Sequence, residues 1–313
     1  MLSPYRIIRN KSLLPIYLII LGGGLLSINF SGLREKSAAT SSPPSPCLVP
    51  ASEPTSITTQ VPQGGSLFEK NLPRGFTLPE AGDWVARRIL KAHGAVFVAQ
   101  GSVVCPPSII FTDAAGCASW QVRVNTRREN INGIPVELQT EAMEALLAAR
   151  SEATQRNLRI TPRGTWAARR NYRDTEKIWS RRVIPGLAFW QRRGKLSARD
   201  AARIRGLAPA QQVEEILRLE AQGLFFSKDF SRPVLSSGSA PGASQHISML
   251  ALDINEHSRA AVRTILARHG WFQTVVSDLP HFTYLGTLQE KLPALGLRKT
   301  VKNGRVYWTP AKM

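Results

Sequence analysis

Five histidines occur in the 313 residues, His93, His246, His257, His269 and His281, and two stand in settings that suit metal chemistry. His246 lies in Ser244-Gln245-His246-Ile247-Ser248-Met249-Leu250-Ala251-Leu252-Asp253, entered through Pro241-Gly242. His281 closes Asp278-Leu279-Pro280-His281. A catalytic zinc takes three protein ligands of nitrogen or oxygen type and keeps a fourth position for water, and two imidazoles with one carboxylate meet that count. Side chains alternate along a strand, so His246 and Asp253, seven apart, cannot share one face of a regular strand. Either a bend intervenes or His246 belongs to the loop before the strand, and Pro241-Gly242 together with the apolar run Met249–Leu252 favours the loop. Pro280 disfavours the α conformation at Leu279, so an extended turn can aim Asp278 and His281 at one ion.

The first segment matches Ser-x-His-x-x-x-x-Ala-x-Asp and so resembles the signature of the zinc D-alanyl-D-alanine carboxypeptidases and dipeptidases, the group that contains the vancomycin-resistance D,D-peptidases. The second resembles that group's acidic-x-x-His element. The resemblance covers about 40 residues strongly and 157–313 loosely. It implies Zn2+ held by His246, Asp253 and His281, with Asp278 as general base and acid. It also implies an upstream arginine facing the oxyanion of the tetrahedral intermediate. Arg163, in Ile160-Thr161-Pro162-Arg163-Gly164, and Arg170, in Ala168-Arg169-Arg170-Asn171-Tyr172, both fit, with Arg163 ranked first. The chain departs from the pattern twice, with Met249 where the group often has Gly and Asp278 where it commonly has Glu. Trp271 and Phe282 flank the motifs and read as core. Ser244 reads as a support for the ligand loop, and His269, ahead of Gly270, as a helix cap.

The elements that must position these residues are read from periodicity. Helices are expected over Ala81–His93, Val136–Ala153 and Ser258–His269, and through Trp166–Gln222 with breaks at Pro185-Gly186 and Gly194. Short strands are expected at Ala95–Ala99, Ile109–Thr112, Trp120–Val124 and Asn157–Thr161, and again after His246, with a loop from Pro233 to Gly242. Helices followed by a β-rich C-terminal part predict an α+β fold, a small, mostly antiparallel sheet carrying the zinc site and flanked by helices.

Ahead of this domain, Arg6, Arg9 and Lys11 precede an uncharged run from Ser12 to Ser31, and Arg34 and Lys36 follow it. The pattern predicts a signal peptide or membrane anchor over 1–34. A Ser/Thr/Pro-rich disordered linker is expected over 35–67, then a single domain over 68–313 with its peptidase core at about 157–313. This places the domain outside the cytoplasm, in the periplasm or cell envelope, anchored to the inner membrane or exported. There Cys105 and Cys117 could pair, or remain two separate thiols.

With 41 Lys+Arg against 22 Asp+Glu the chain carries a formal charge of +19, which calls for anionic surroundings. The stretch Arg156–Arg205 holds 15 of these cations and only Asp174, Glu176 and Asp200 as acids. It lacks Cys/His fingers, glycine-aromatic RNA motifs and any stacking pattern, so no nucleic acid is expected. Anionic cell-wall polymer or a membrane surface accounts for the same charge. The expected activity is therefore a zinc-dependent carboxypeptidase or endopeptidase, with D,D or L,D preference, that hydrolyses peptidoglycan stem peptides, of D-Ala-D-Ala type by resemblance. The alternative is a noncatalytic wall-binding protein that keeps the fold.

Overall fold

The computed structural model describes residues 65–312. The expected membrane segment 1–34 and the linker up to residue 64 lie outside the described residues. Among those described, no helix is long and apolar enough to cross a membrane. Residues 65–67, assigned above to the linker, already belong to the folded unit, because Ser66 and Glu69 close a capping box that starts the first helix.

In chain order the elements are α1 (Leu67–Lys70), α2 (Trp84–His93), α3 (Ala114–Gln121), β1 (Thr126–Ile131), β2 (Ile134–Gln139), α4 (Thr140–Gln155), α5 (Tyr172–Arg192), α6 (Ala198–Arg205), α7 (Pro209–Ala221), β3 (Ala251–Asp253), α8 (Ala260–Arg268), β4 (Trp271–Phe272), β5 (His281–Tyr284), β6 (Leu297–Lys302) and β7 (Arg305–Pro310). The class is α+β, with helices around a three-stranded antiparallel sheet of order β3-β5-β4 and two antiparallel hairpins, β1-β2 and β6-β7. One hydrophobic core runs from Phe68 to Trp308. A smaller cluster of Phe111, Cys117, Trp120, Val124, Tyr172, Ile247 and Met249 lies behind the segment that carries His246.

Several local expectations fail for identifiable reasons. Ala95–Ala99 is not a strand; Gly94–Val98 winds into a buried 3-10 turn, and a short apolar run carries no periodicity to tell the two apart. Trp120–Val124 is not a strand either, since Asp113 accepts a hydrogen bond from the Gly116 N–H and caps α3, which carries the chain to Gln121. Ile109–Thr112 and Asn157–Thr161 form no strand, although Pro162 makes an isolated antiparallel bridge to Ile254. The helix expected from Val136 starts only at Thr140, because 134–139 is the second strand of a hairpin. Asn132 and Gly133, with φ of 54° and 80°, form the left-handed pair that such a hairpin turn requires. α5 runs through Pro185-Gly186 without interruption. Its inner face of Tyr172, Thr175, Trp179, Val183, Gly186 and Leu187 is buried at helical spacing, and that burial outweighs the hydrogen bond lost at proline. Cys105 and Cys117 are both free thiols, one beside each hydrophobic cluster.

Gly242 controls the entry to the His246 segment. Its φ is 75°, its carbonyl accepts from the Phe111 N–H at 3.0 Å, and a Cβ there would collide with the Phe111 carbonyl oxygen. Gly242→Ala is expected to destabilise the domain by about 3 kcal/mol, from left-handed strain and overpacking together. Chemical denaturation of the two proteins would show it, and an unchanged midpoint would refute it.

Candidate metal centre

Three side chains converge from two strands and a turn. Asp253 ends β3 and His281 begins β5, and the two face each other as direct partners in the antiparallel register. His246 sits ahead of the strand, on the 3-10 turn Gln245–Ser248. Ser244 Oγ accepts from the His246 N–H at 3.3 Å and caps this turn. Met249 then reverses the chain into β3 with a left-handed φ of 57°. That conformation is one glycine adopts freely. Here Met249 tolerates it because the side chain is fully buried in the smaller cluster and its carbonyl accepts from the Gln139 N–H at 3.0 Å.

The hydrogen bonds fix which nitrogen of each imidazole is bare. His246 Nδ1 faces the Ala168 carbonyl at 2.8 Å and must donate to it, so Nε2 keeps its lone pair. His281 Nε2 donates to Gln245 Oε1 at 2.7 Å, which in the neutral ring leaves Nδ1 bare. The Gln245 amide is itself oriented, since its Nε2 donates to the His93 carbonyl at 2.7 Å while Thr283 Oγ1 donates to its Oε1 at 2.6 Å. The two bare nitrogens oppose each other at 3.1 Å, and Asp253 Oδ1 lies 3.4 Å from His246 Nε2 and 3.3 Å from His281 Nδ1. Two lone pairs and an anionic oxygen this close repel unless a proton or a metal ion lies between them. Ligands about 2.0–2.1 Å from a tetrahedral zinc sit about 3.3 Å from one another, which is the size of this triangle. A His-Asp-His group that could hold a metal ion is therefore present.

Arg170 orients the carboxylate. Its Nη2 donates to Asp253 Oδ2 at 2.7 Å and its Nε to the Trp166 carbonyl at 3.0 Å, leaving Oδ1 to the imidazoles. Burial alone would raise the Asp253 carboxyl, but His246, His281 and Arg170 override it and hold the group well below the usual carboxylate range. Burial pushes His246 down to about 4, and the neighbouring Arg170 charge adds to the effect. Arg163 takes a different post. Its backbone N–H donates to the Asp253 carbonyl at 2.8 Å, while its exposed guanidinium, among the described residues, reaches only His257 Nε2, at 3.4 Å. Of the two candidate arginines, Arg170 is tied to Asp253 of the triad, and Arg163 has no carboxylate partner among the described residues.

Asp278 lies on the turn before β5, next to Ser277 with its φ of 73°, and lines the same cavity as the triad. Burial and the neighbouring Asp253 push its carboxyl up to about 6. Asp278 thus sits beside the His-Asp-His group in surroundings that favour its protonated form more than water would. The cavity has a volume of about 650 Å³. His257 also lines it, whereas His269 bonds Glu152 Oε2 at 2.9 Å elsewhere. Trp271 and Phe282 are core residues, both almost fully buried.

Three glutamines escaped the reading of the sequence. Besides Gln245, Gln121 Nε2 donates to the carbonyls of Arg170 and Ile247, both at 2.9 Å. Gln139 Nε2 donates to the carbonyls of Val104 and Ser248, both at 2.7 Å. The region 68–155, which carries no motif of its own, thus braces the backbone immediately after His246, at Ile247 and Ser248. A glutamine at the end of a helix or strand has no distinguishing spacing, so only Gln245, adjacent to His246, carried any signal.

His93 lines the cavity from α2, with Nε2 donating to the Leu235 carbonyl at 2.9 Å. Burial pushes it down to about 4. Its folded value lies below its ordinary 6.5, so the unfolded chain binds the extra proton between those limits. The stabilisation is whole above about pH 6.5 and is lost as pH falls toward 4. The expected loss is at most about 3 kcal/mol. Denaturant unfolding of metal-free protein at pH 7 and pH 4.5 would measure it, and the slope should flatten in His93→Gln.

Comparison of the chain with protein-family models, with curated proteins and with solved structures returns no match.

Proposed function

We propose that the chain is a zinc peptidase that hydrolyses a peptide bond in peptidoglycan stem peptides, of the D-Ala-D-Ala type. The observation that carries this reading is the triangle of two imidazole nitrogens and one carboxylate oxygen, with edges of 3.1–3.4 Å, beside an acid, Asp278, whose carboxyl is raised to about 6 by burial and by Asp253. His246 Nε2, His281 Nδ1 and Asp253 Oδ1 would hold the zinc, which when bound supplies Lewis acidity and makes water nucleophilic near pH 7. Asp278 accepts a proton from the attacking water and passes it to the leaving amine. Arg163, without a carboxylate partner among the described residues, faces the developing oxyanion. Arg170 keeps Asp253 in its ligating pose, and Gln245 keeps His281 in the tautomer that leaves Nδ1 bare. The substrate class rests on the resemblance of the two motifs. An extracytoplasmic site of action, with the N-terminal segment as anchor or export signal and anionic wall polymer or membrane surface as the attractor of the basic chain, belongs to the same reading.

The test is digestion of purified muropeptides by zinc-loaded protein, with products identified by mass. Release of D-alanine or of a cut stem peptide supports the peptidase. Stoichiometric zinc with no product from any stem peptide overturns it in favour of a noncatalytic wall-binding protein, the reading that Asp278 in place of the commoner Glu keeps open.

A further inference from the structure

The cavity beside the triad is strongly electropositive. Among the described residues its lining includes Arg163, Arg170, Arg181, Arg182, Lys228 and Arg232 against two carboxylates, Asp253 and Asp278. Arg170 is committed to Asp253, and Arg232 lies 3.6 Å from Asp229. Arg181 stacks on Trp166, its guanidinium carbon 4.6 Å from the ring centre. Arg182 is the unusual member. It is half-buried on α5 with Gly238 against its stem, and among the described residues the one acceptor for its five N–H donors is the Ser237 carbonyl at 3.3 Å. Its Nε is shut from solvent with no acceptor, and so is the neighbouring Ser237 Oγ. It forms no ion pair within 4 Å among the described residues, although it is close enough to Asp278 for the two charges to act on each other.

A half-buried guanidinium without a carboxylate is costly to the folded protein. That cost is recovered when an anion enters, and a cavity with low-dielectric walls concentrates the potential that draws it in. Zinc bound at the triad would add further positive charge. A cavity of this volume accommodates a ligand of tri- or tetrapeptide size.

We infer that Arg182, with Arg181, Lys228, Arg232 and Ser237 around it, forms a carboxylate-binding wall that selects peptides with an acidic side chain close to the bond facing Asp278. The inference rests on the peptidase reading for the nature of the ligand as a peptide, and it adds the charge that ligand must carry. Arg182 is a specificity residue that acts by binding.

Two N-acetylated tripeptides ending in D-alanyl-D-alanine, one beginning with glutamate and one with glutamine, differ by a single charge. Calorimetric titration into zinc-loaded protein in the Asp278→Asn background measures binding without turnover. The glutamate peptide is expected to bind at least tenfold more tightly. Arg182→Gln should weaken it by roughly 10- to 100-fold while changing the glutamine peptide less than about twofold. Arg182→Lys should restore part of the preference, and Arg232→Gln, at a more open position, offers a second variant should Arg182→Gln fail to fold. Equal binding of the two peptides, no binding of either, or a preference that survives both glutamine variants overturns the inference. Hydrolysis by the wild type is scored separately. A charge preference without cleavage would keep the wall and remove the peptidase, and cleavage without a preference would do the reverse.

Discussion

At matched zinc occupancy, Asp278→Asn is expected to hydrolyse stem peptides about 10²–10⁴-fold more slowly than the wild type. The substitution keeps the shape of the side chain and removes only its ability to exchange a proton. Asp278 is not part of the His-Asp-His triangle, so zinc should remain at one per chain in the variant. The pH dependence adds a second signature. The carboxyl is raised to about 6 by burial and by the Asp253 charge, so in the absence of other charges it loses its basic form as pH falls through that value. Bound zinc, an added positive charge, moves this limb to lower pH. The wild-type rate should therefore fall on the acid side along a limb at or below about 6 that the asparagine variant lacks. Equal rates in the two proteins would remove Asp278 from the chemistry, and loss of zinc from the variant would make it a ligand instead.

His281→Ala should abolish stoichiometric zinc binding and, with it, the metal's contribution to stability. A ligand at a thousandfold excess over its dissociation constant stabilises a fold by about 4 kcal/mol. For a domain of this size that corresponds to roughly 8–16 °C in the midpoint of thermal unfolding. The wild type should lose this increment on chelation, whereas the variant should melt at the same temperature with and without zinc. His281 is almost fully buried and its Nε2 satisfies Gln245 Oε1, so the variant also loses some stability of its own. Comparing each protein with and without metal cancels that loss. A zinc-dependent shift that persists in His281→Ala would place the ion elsewhere.

How much of this was legible along the chain follows from the range over which each contact acts. The ligand types, their order and the acid three residues before His281 are local features, as is the need for His246 to precede its strand, which follows from the alternation of side chains. The helix ending at His93 and the one between Ser258 and His269 were legible because amphipathic spacing survives in any context. Short elements were not. Gly94–Val98 and Trp120–Gln121 are apolar because they are buried, and burial is shared by strands, 3-10 turns and helix ends. The hairpin before α4 did announce itself through Asn132-Gly133, a signal masked by the helix-forming residues that follow it.

The order of residues alone supplied the groups on offer: two imidazoles, two carboxylates and an excess of cations. Tertiary structure alone decided what each group does. Arg170 is tied to Asp253 across 83 residues, Gln121 and Gln139 brace the His246 turn across 126 and 109, and Gln245 sets the tautomer of His281 across 36. Arg182, one arginine among many in a basic helix, gains meaning only because the fold leaves it half-buried beside the triad with no ion pair within 4 Å among the described residues. The physical reason is that hydrogen bonds and desolvation are set by whichever groups are nearest in space, and spacing along the chain carries no record of that beyond a few residues.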